Sequence, residues 1–113
     1  MGEINFNQGT LTFYIPEGVI DYKNNKTINL INFNSKEGHI KVSKNKNNGM
    51  MVDYYYTNFG GCKLVVDAGD LDNQQKHEII ISWSTIEGVL KLNIDGTERG
   101  SCDLNMNKLE LEN

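Results

Sequence analysis

Along most of this chain apolar and polar residues take turns one by one. That period of two predicts β-strands with one dry face and one wet face. In Thr10-Leu11-Thr12-Phe13-Tyr14-Ile15 the residues Leu11, Phe13 and Ile15 share a side. Thr27 to Phe33 is a second apolar run and His39 to Ser43 a third. In Met50 to Tyr56, Val52, Tyr54 and Tyr56 face one way and Met51, Asp53 and Tyr55 the other. Lys63 to Asp67 is short, with Leu64 and Val66 together. Glu78 to Ser84 groups Ile79, Ile81 and Trp83, while Ile80 makes the opposite side partly apolar. Val89 to Asp95 alternates cleanly, with Leu90, Leu92 and Ile94 inward and Lys91 and Asn93 outward. A last run, Lys108 to Leu111, alternates too.

No stretch holds the i, i+3, i+4, i+7 apolar spacing of a helix. The runs are joined by turn-like links, Asn47-Asn48-Gly49, Phe59-Gly60-Gly61, Ile86-Glu87-Gly88 and Asp95-Gly96. Seven or eight such strands must stack as two sheets or close on themselves to bury their apolar faces. The expectation is therefore an all-β, two-sheet antiparallel β-sandwich in one domain spanning 1–113.

Composition supports this without adding chemistry. A chain of 113 residues, 38% hydrophobic and 23% charged, is long enough to bury a core unaided. Its net charge of −4 disfavours nucleic acid and anionic membrane surfaces, which call for clustered Lys and Arg. Lys41, Lys44 and Lys46, set among Asn and Ser, predict a solvated turn. Met1-Gly2-Glu3-Ile4-Asn5 has neither a basic n-region nor an apolar h-region, so no signal peptide is expected. No run approaches the roughly 20 apolar residues of a membrane span, so no membrane insertion is expected. Cys62 and Cys102 form no CxxC pattern and leave two alternatives, one disulfide across the sandwich or two buried thiols. Asparagines gather between the apolar runs, which suits a protein built of hairpins.

Two stretches carry a resemblance. Lys76-His77-Glu78-Ile79-Ile80-Ile81-Ser82-Trp83, followed by Gly88-Val89-Leu90-Lys91-Leu92-Asn93-Ile94-Asp95-Gly96, resembles the paired-strand signature of laminin-G-like, concanavalin A-like jelly rolls. Gly9-Thr10-Leu11-Thr12-Phe13-Tyr14-Ile15-Pro16 resembles the early strand of that superfamily. Lys76, Glu78 and Tyr14 depart from it, standing where Trp, His and Trp are common. The resemblance implies a jelly-roll sandwich, a carbohydrate or protein ligand, and an extracellular or cell-surface setting.

The superfamily also includes glucanases, whose paired carboxylates lie on one strand in an E-x-D-x-x-E pattern. That pattern is absent, and Glu17, Asp21 and Glu37 fall in loops. His77-Glu78 opens like H-E-x-x-H, but Ile81 stands at the second histidine and the segment reads as a strand. Neither histidine has an evident partner in the sequence. Asp67, Asp70 and Asp72 in Asp67-Ala68-Gly69-Asp70-Leu71-Asp72-Asn73 offer hard oxygen ligands suited to Ca²⁺. A solvated acidic turn is the plainer reading. Tyr14 and Tyr55 point outward by alternation, and Asp53 shares the side of Tyr55. An aromatic plane beside a carboxylate suits a sugar ring, although cross-strand aromatic pairs also stabilise sheets. Trp83, in line with the isoleucines, is expected in the core. Asn25-Lys26-Thr27 is a glycosylation sequon.

The expected function is a non-catalytic recognition module for carbohydrate or protein, with Tyr14, Asp53 and Tyr55 as ligand-binding candidates. The alternatives are a structural or oligomerisation domain of a surface or fibre protein, and a glycoside hydrolase.

Overall fold

The computed structural model describes residues 5–57 and 59–106. Nine strands follow one another: β1 Gln8–Ile15, β2 Ile28–Ser35, β3 Gly38–Lys44, β4 Gly49–Tyr56, β5 Gly60–Asp67, β6 His77–Ser84, β7 Val89–Ile94, β8 Thr97–Asp103 and β9 Asn105–Met106. All pairings are antiparallel. One sheet has the order β1-β6-β7-β8 and the other β2-β3-β4-β5-β9, so the chain forms a β-sandwich.

Seven of these strands coincide with the alternating runs. Strand β8 does not, because Thr97-Glu98-Arg99-Gly100-Ser101-Cys102-Asp103 is polar and glycine-interrupted and has no apolar period. It is held instead by backbone pairing to β7 after a two-residue turn. Asp95 (φ 54°) and Gly96 (φ 84°) both take the left-handed conformation that such a hairpin demands. Strand β5 starts three residues before its expected limit, so Gly60 and Gly61 belong to the strand. The run Lys108 to Leu111 lies outside the described residues.

The core forms where the two inner faces meet. Ile79, Ile81, Trp83, Leu90, Leu92 and Ile94 come from β6 and β7, and Ile40, Val42, Met50, Val52 and Tyr54 from β3 and β4. Trp83 and Tyr54 meet across the interior at 6.3 Å between ring centroids. The indole needs room at β1, where a Cβ on Gly9 would lie 2.8 Å from Trp83 Cζ2. Its Nε1 donates to Asn5 O at 2.8 Å, which ties the start of the described chain to β6. Removing side chains this well buried costs about 2–5 kcal/mol each.

The basic stretch departs from expectation. Lys41 is exposed on β3, but Lys44 is fully buried on the inner face of the same strand. Lys44 stands two positions after Val42, so strand geometry carries both inward. The turn after β3 receives the lysine head, with Nζ donating to Asn45 O at 3.2 Å and Asn48 Oδ1 at 3.1 Å. Asn48 is itself held by Asn25.

Cys62 on β5 and Cys102 on β8 are joined in a disulfide. They staple the two sheets along one side, where Gly100 of β8 lies against Leu64 and Val66 of β5. The link closes a segment of 40 residues in the unfolded chain, worth about 4 kcal/mol by loop-closure entropy. Replacing both Cys62 and Cys102 by Ala is expected to lower unfolding free energy by about 3–4 kcal/mol in urea titrations. An unchanged midpoint would show that the bond does not restrain the unfolded chain.

Candidate functional site

With the inner faces filled mainly by the core, most exposed polar side chains lie on the outer faces and loops. On the outer face of the four-stranded sheet the register lines up Gln8, Ser84 and Val89, then Thr10, Ser82 and Lys91, then Thr12, Ile80 and Asn93, then Tyr14 and Glu78. The first two rows, with Glu87 beyond the end of β6, line a groove of about 330 Å³. Hydroxyls, an amide, a carboxylate and an ammonium surround it, and Trp83 and Gly9 contribute to its wall. Tyr14 stands on the same face, four residues and hence roughly 13 Å along β1 from Thr10. Its ring is 53% exposed and its hydroxyl donates to Glu78 Oε2 at 3.1 Å. The Lys76 ammonium lies 5.3 Å from the ring centroid, within reach of a cation–π contact. The hydrogen bond to Glu78 and its charge raise the pKa of the Tyr14 phenol above its ordinary value. Tyr14 therefore stays a neutral donor.

Glu78 is held in place from beneath. Asp95, in the β7–β8 turn, accepts the Glu78 amide through Oδ1 at 2.9 Å, and its own amide donates to Glu78 O at 2.9 Å. The other carboxylate oxygen meets His77 Nδ1 at 2.6 Å. His77 is buried, and its Nε2 lies 2.7 Å from the carbonyl of Asp72. Both ring nitrogens thus face acceptors, an arrangement that only the doubly protonated imidazolium satisfies. Burial lowers the His77 pKa, but the bonds and charges of Asp95 and Asp72 outweigh it, and the net shift is upward. Asp95 mirrors this: burial raises it, and His77, the Glu78 amide and Arg99 bring it below the ordinary carboxylate value. Tyr22 packs edge-on against His77 at 5.5 Å, and its phenol is pushed to about 12 by burial and then by Asp95.

The other candidates fall elsewhere. Asp53 and Tyr55 lie together on the outer face of the five-stranded sheet, on the opposite side of the sandwich from Tyr14. His39 joins them: its ring stacks on Tyr55 at 5.7 Å and 30°, and its Nε2 is 3.4 Å from Asp53 Oδ1. These three residues do not line the groove beside β1 and β6. In the acidic loop the carboxylates serve separate partners. Asp67 Oδ1 accepts the Gly69 amide, Asp72 Oδ1 accepts the Gln74 amide, and Asp70 is bound through both oxygens by Arg99. Arg99 is the extra residue of a bulge in β8, which turns its side chain to that loop. Its guanidinium lowers the Asp70 pKa. Among the described residues no three His, Cys, Asp or Glu side chains gather as a metal site.

Comparison of the chain with protein-family models, curated proteins and solved structures finds no match. The site rests on its geometry.

Sequence reasoning set Tyr14 outward by alternation, where it stands, and missed the groove and the His77–Asp95 clamp. The signal for the groove was present in Gln8, Thr10, Ser82, Ser84 and Lys91, all outward positions, but which strands lie side by side is not a local property. His77 has partners 5 and 18 residues away, brought to it by a loop and a hairpin turn.

The clamp makes stability depend on pH. His77 has a raised folded pKa, so its contribution is complete below the unfolded value near 6.5 and is lost as pH rises through the folded value. Asp95 has a lowered pKa, so its contribution is complete above about 3.8 and is lost as pH falls through the folded value. Urea midpoints are expected to be highest between these limits. His77→Gln should cost about 2 kcal/mol at pH 6 and flatten the decline on the alkaline side. A variant with the same alkaline decline as wild type would remove His77 as its source.

Proposed function

We propose that this domain is a non-catalytic recognition module that binds carbohydrate on the outer face of the four-stranded sheet. The observation that carries the reading is the groove of about 330 Å³ lined by Gln8, Thr10, Ser82, Ser84, Glu87 and Lys91, on the same face as the exposed Tyr14. Binding sites of small ligands start near this size. A sugar offers alternating hydroxyl donors and acceptors, which the side chains of this face match in kind. It also offers an apolar C–H face suited to an aromatic plane, and Tyr14 is held upright for that contact by Glu78 and Lys76. The resemblance of 76–96 and 9–16 to concanavalin A-like jelly rolls points the same way. The disulfide suits an oxidising, extracellular setting.

A hydrolytic reading finds less support. Glu78 and Glu87 flank the two ends of β6 on this face, roughly 20 Å apart along the strand. Glycosidic cleavage uses carboxyl groups about 5–10 Å apart. The patch of Tyr55, His39 and Asp53 supports a second location for the ligand, since it too joins an aromatic plane to a carboxylate.

A glycan array probed with the folded domain, with and without calcium, tests the proposal. Binding is expected in both conditions. Tyr14→Ala and Ser82→Val should each weaken it about tenfold, equivalent to roughly 1.4 kcal/mol, with Tyr55→Ala unchanged. Failure of every glycan would refute the module reading. Loss on Tyr55→Ala alone would move the site to the other sheet.

A further inference from the structure

Of the asparagines in the chain, Asn25 alone stands two residues before a hydroxyl side chain, in Asn25-Lys26-Thr27. The structure adds where this triplet lies and how its amide is held. Ile20 and Tyr22, both buried, anchor the loop from β1 to β2, which then turns outward and leaves Asn25, Lys26 and Thr27 exposed. Asn25 takes the left-handed conformation (φ 58°) that asparagine tolerates in turns. The orientation of its amide follows from Lys44. An ammonium can only donate, so the Asn48 atom 3.1 Å from Lys44 Nζ is the carbonyl oxygen Oδ1. Asn48 therefore presents Nδ2 to Asn25, and the atom that accepts it at 2.7 Å is Asn25 Oδ1. The backbone amide of Asn25 donates to Asn48 Oδ1 at 3.1 Å and closes the pair. The side-chain amide of Asn25 is thus gripped by its oxygen, which turns Nδ2 away from Asn48 on an exposed residue.

We propose that Asn25 is the acceptor of an N-linked glycan. Its Nδ2 forms a bond to the anomeric carbon of an oligosaccharide carried on a lipid pyrophosphate. The bond from that carbon to the phosphate oxygen breaks, the lipid pyrophosphate leaves with the electron pair, and one amide proton passes to solvent. The linkage keeps Oδ1 as an acceptor, so the contact with Asn48, and through it a partner of the buried Lys44, survives modification. The Cys62–Cys102 disulfide points to the same oxidising, secretory setting in which such glycans are attached. The glycan stands at the end of the sandwich remote from the groove. Asn48 O accepts the amide of Ala68, just after β5, while Arg99 bonds Asp67 O and Asp70, and Asp95 meets His77 at the start of β6. The groove lies at Ser82 to Glu87, roughly 20 Å farther along β6, and modification leaves it open.

Secretion of the full chain from cultured eukaryotic cells behind a cleavable leader, followed by intact-mass measurement, tests the assignment. A mass above that of the polypeptide is expected, and an amidase that releases N-linked glycans should remove the excess and leave a carboxylate at position 25. Asn25→Gln and Thr27→Ala should each abolish the added mass, and Thr27→Ser should retain it. Thr27→Ala keeps the Asn25–Asn48 pair, so it separates loss of the acceptor signal from damage to the loop, with thermal unfolding as the check on folding. A secreted, folded domain with the bare polypeptide mass would overturn the inference, as would a glycan that persists in both Asn25→Gln and Thr27→Ala.

Discussion

Everything in this molecule depends on the contact between two inner faces, with Trp83 of one sheet against Tyr54 of the other. Among the described residues neither sheet has a helix to cover it, so each buries its apolar side on its opposite number. That demand uses every second residue of the central strands. Lys44 shows how strict the demand is. A lysine on the inner side of β3 is taken inward with its neighbours, and the turn beyond it supplies the oxygen partners its head needs.

The two outer faces differ. The face of the four-stranded sheet combines hydroxyls, an amide and two charges around a groove, with a tyrosine farther along. The face of the five-stranded sheet presents a group of Tyr55, His39 and Asp53. The first is anchored by a chain of contacts running from the Asp72 carbonyl through His77 and Asp95 to Glu78 and Tyr14. Each link is a polar group fixed by another, which limits the freedom Tyr14 would otherwise lose on meeting a ligand. Charge, a bulge and a disulfide occupy the side at β5 and β8.

The legible part of the fold is the part with a period. Leu90, Leu92 and Ile94 could be placed inward, and Tyr14 and Tyr55 outward, because strand geometry sends successive side chains to opposite sides whatever the partner strand. Strand β8 was illegible for the same reason in reverse. Its residues follow no apolar period, since an edge strand stapled by Cys102 is held by backbone bonds and one covalent link. The acids of the 67–73 loop looked alike in the chain and differ in the fold, where Asp70 answers Arg99 and Asp67 and Asp72 cap their own turns.

What the sequence by itself determined was the class of fold, the extent of most strands and the side to which most of their side chains point. All of these follow from neighbours two residues apart. Only the tertiary structure decided that Tyr14 and Tyr55 sit on opposite faces of the sandwich, that Cys62 meets Cys102, and that His77 finds Asp95. Those outcomes depend on which strand lies beside which. Strand order is settled by the collective burial of both sheets, a property that no short stretch of the chain carries.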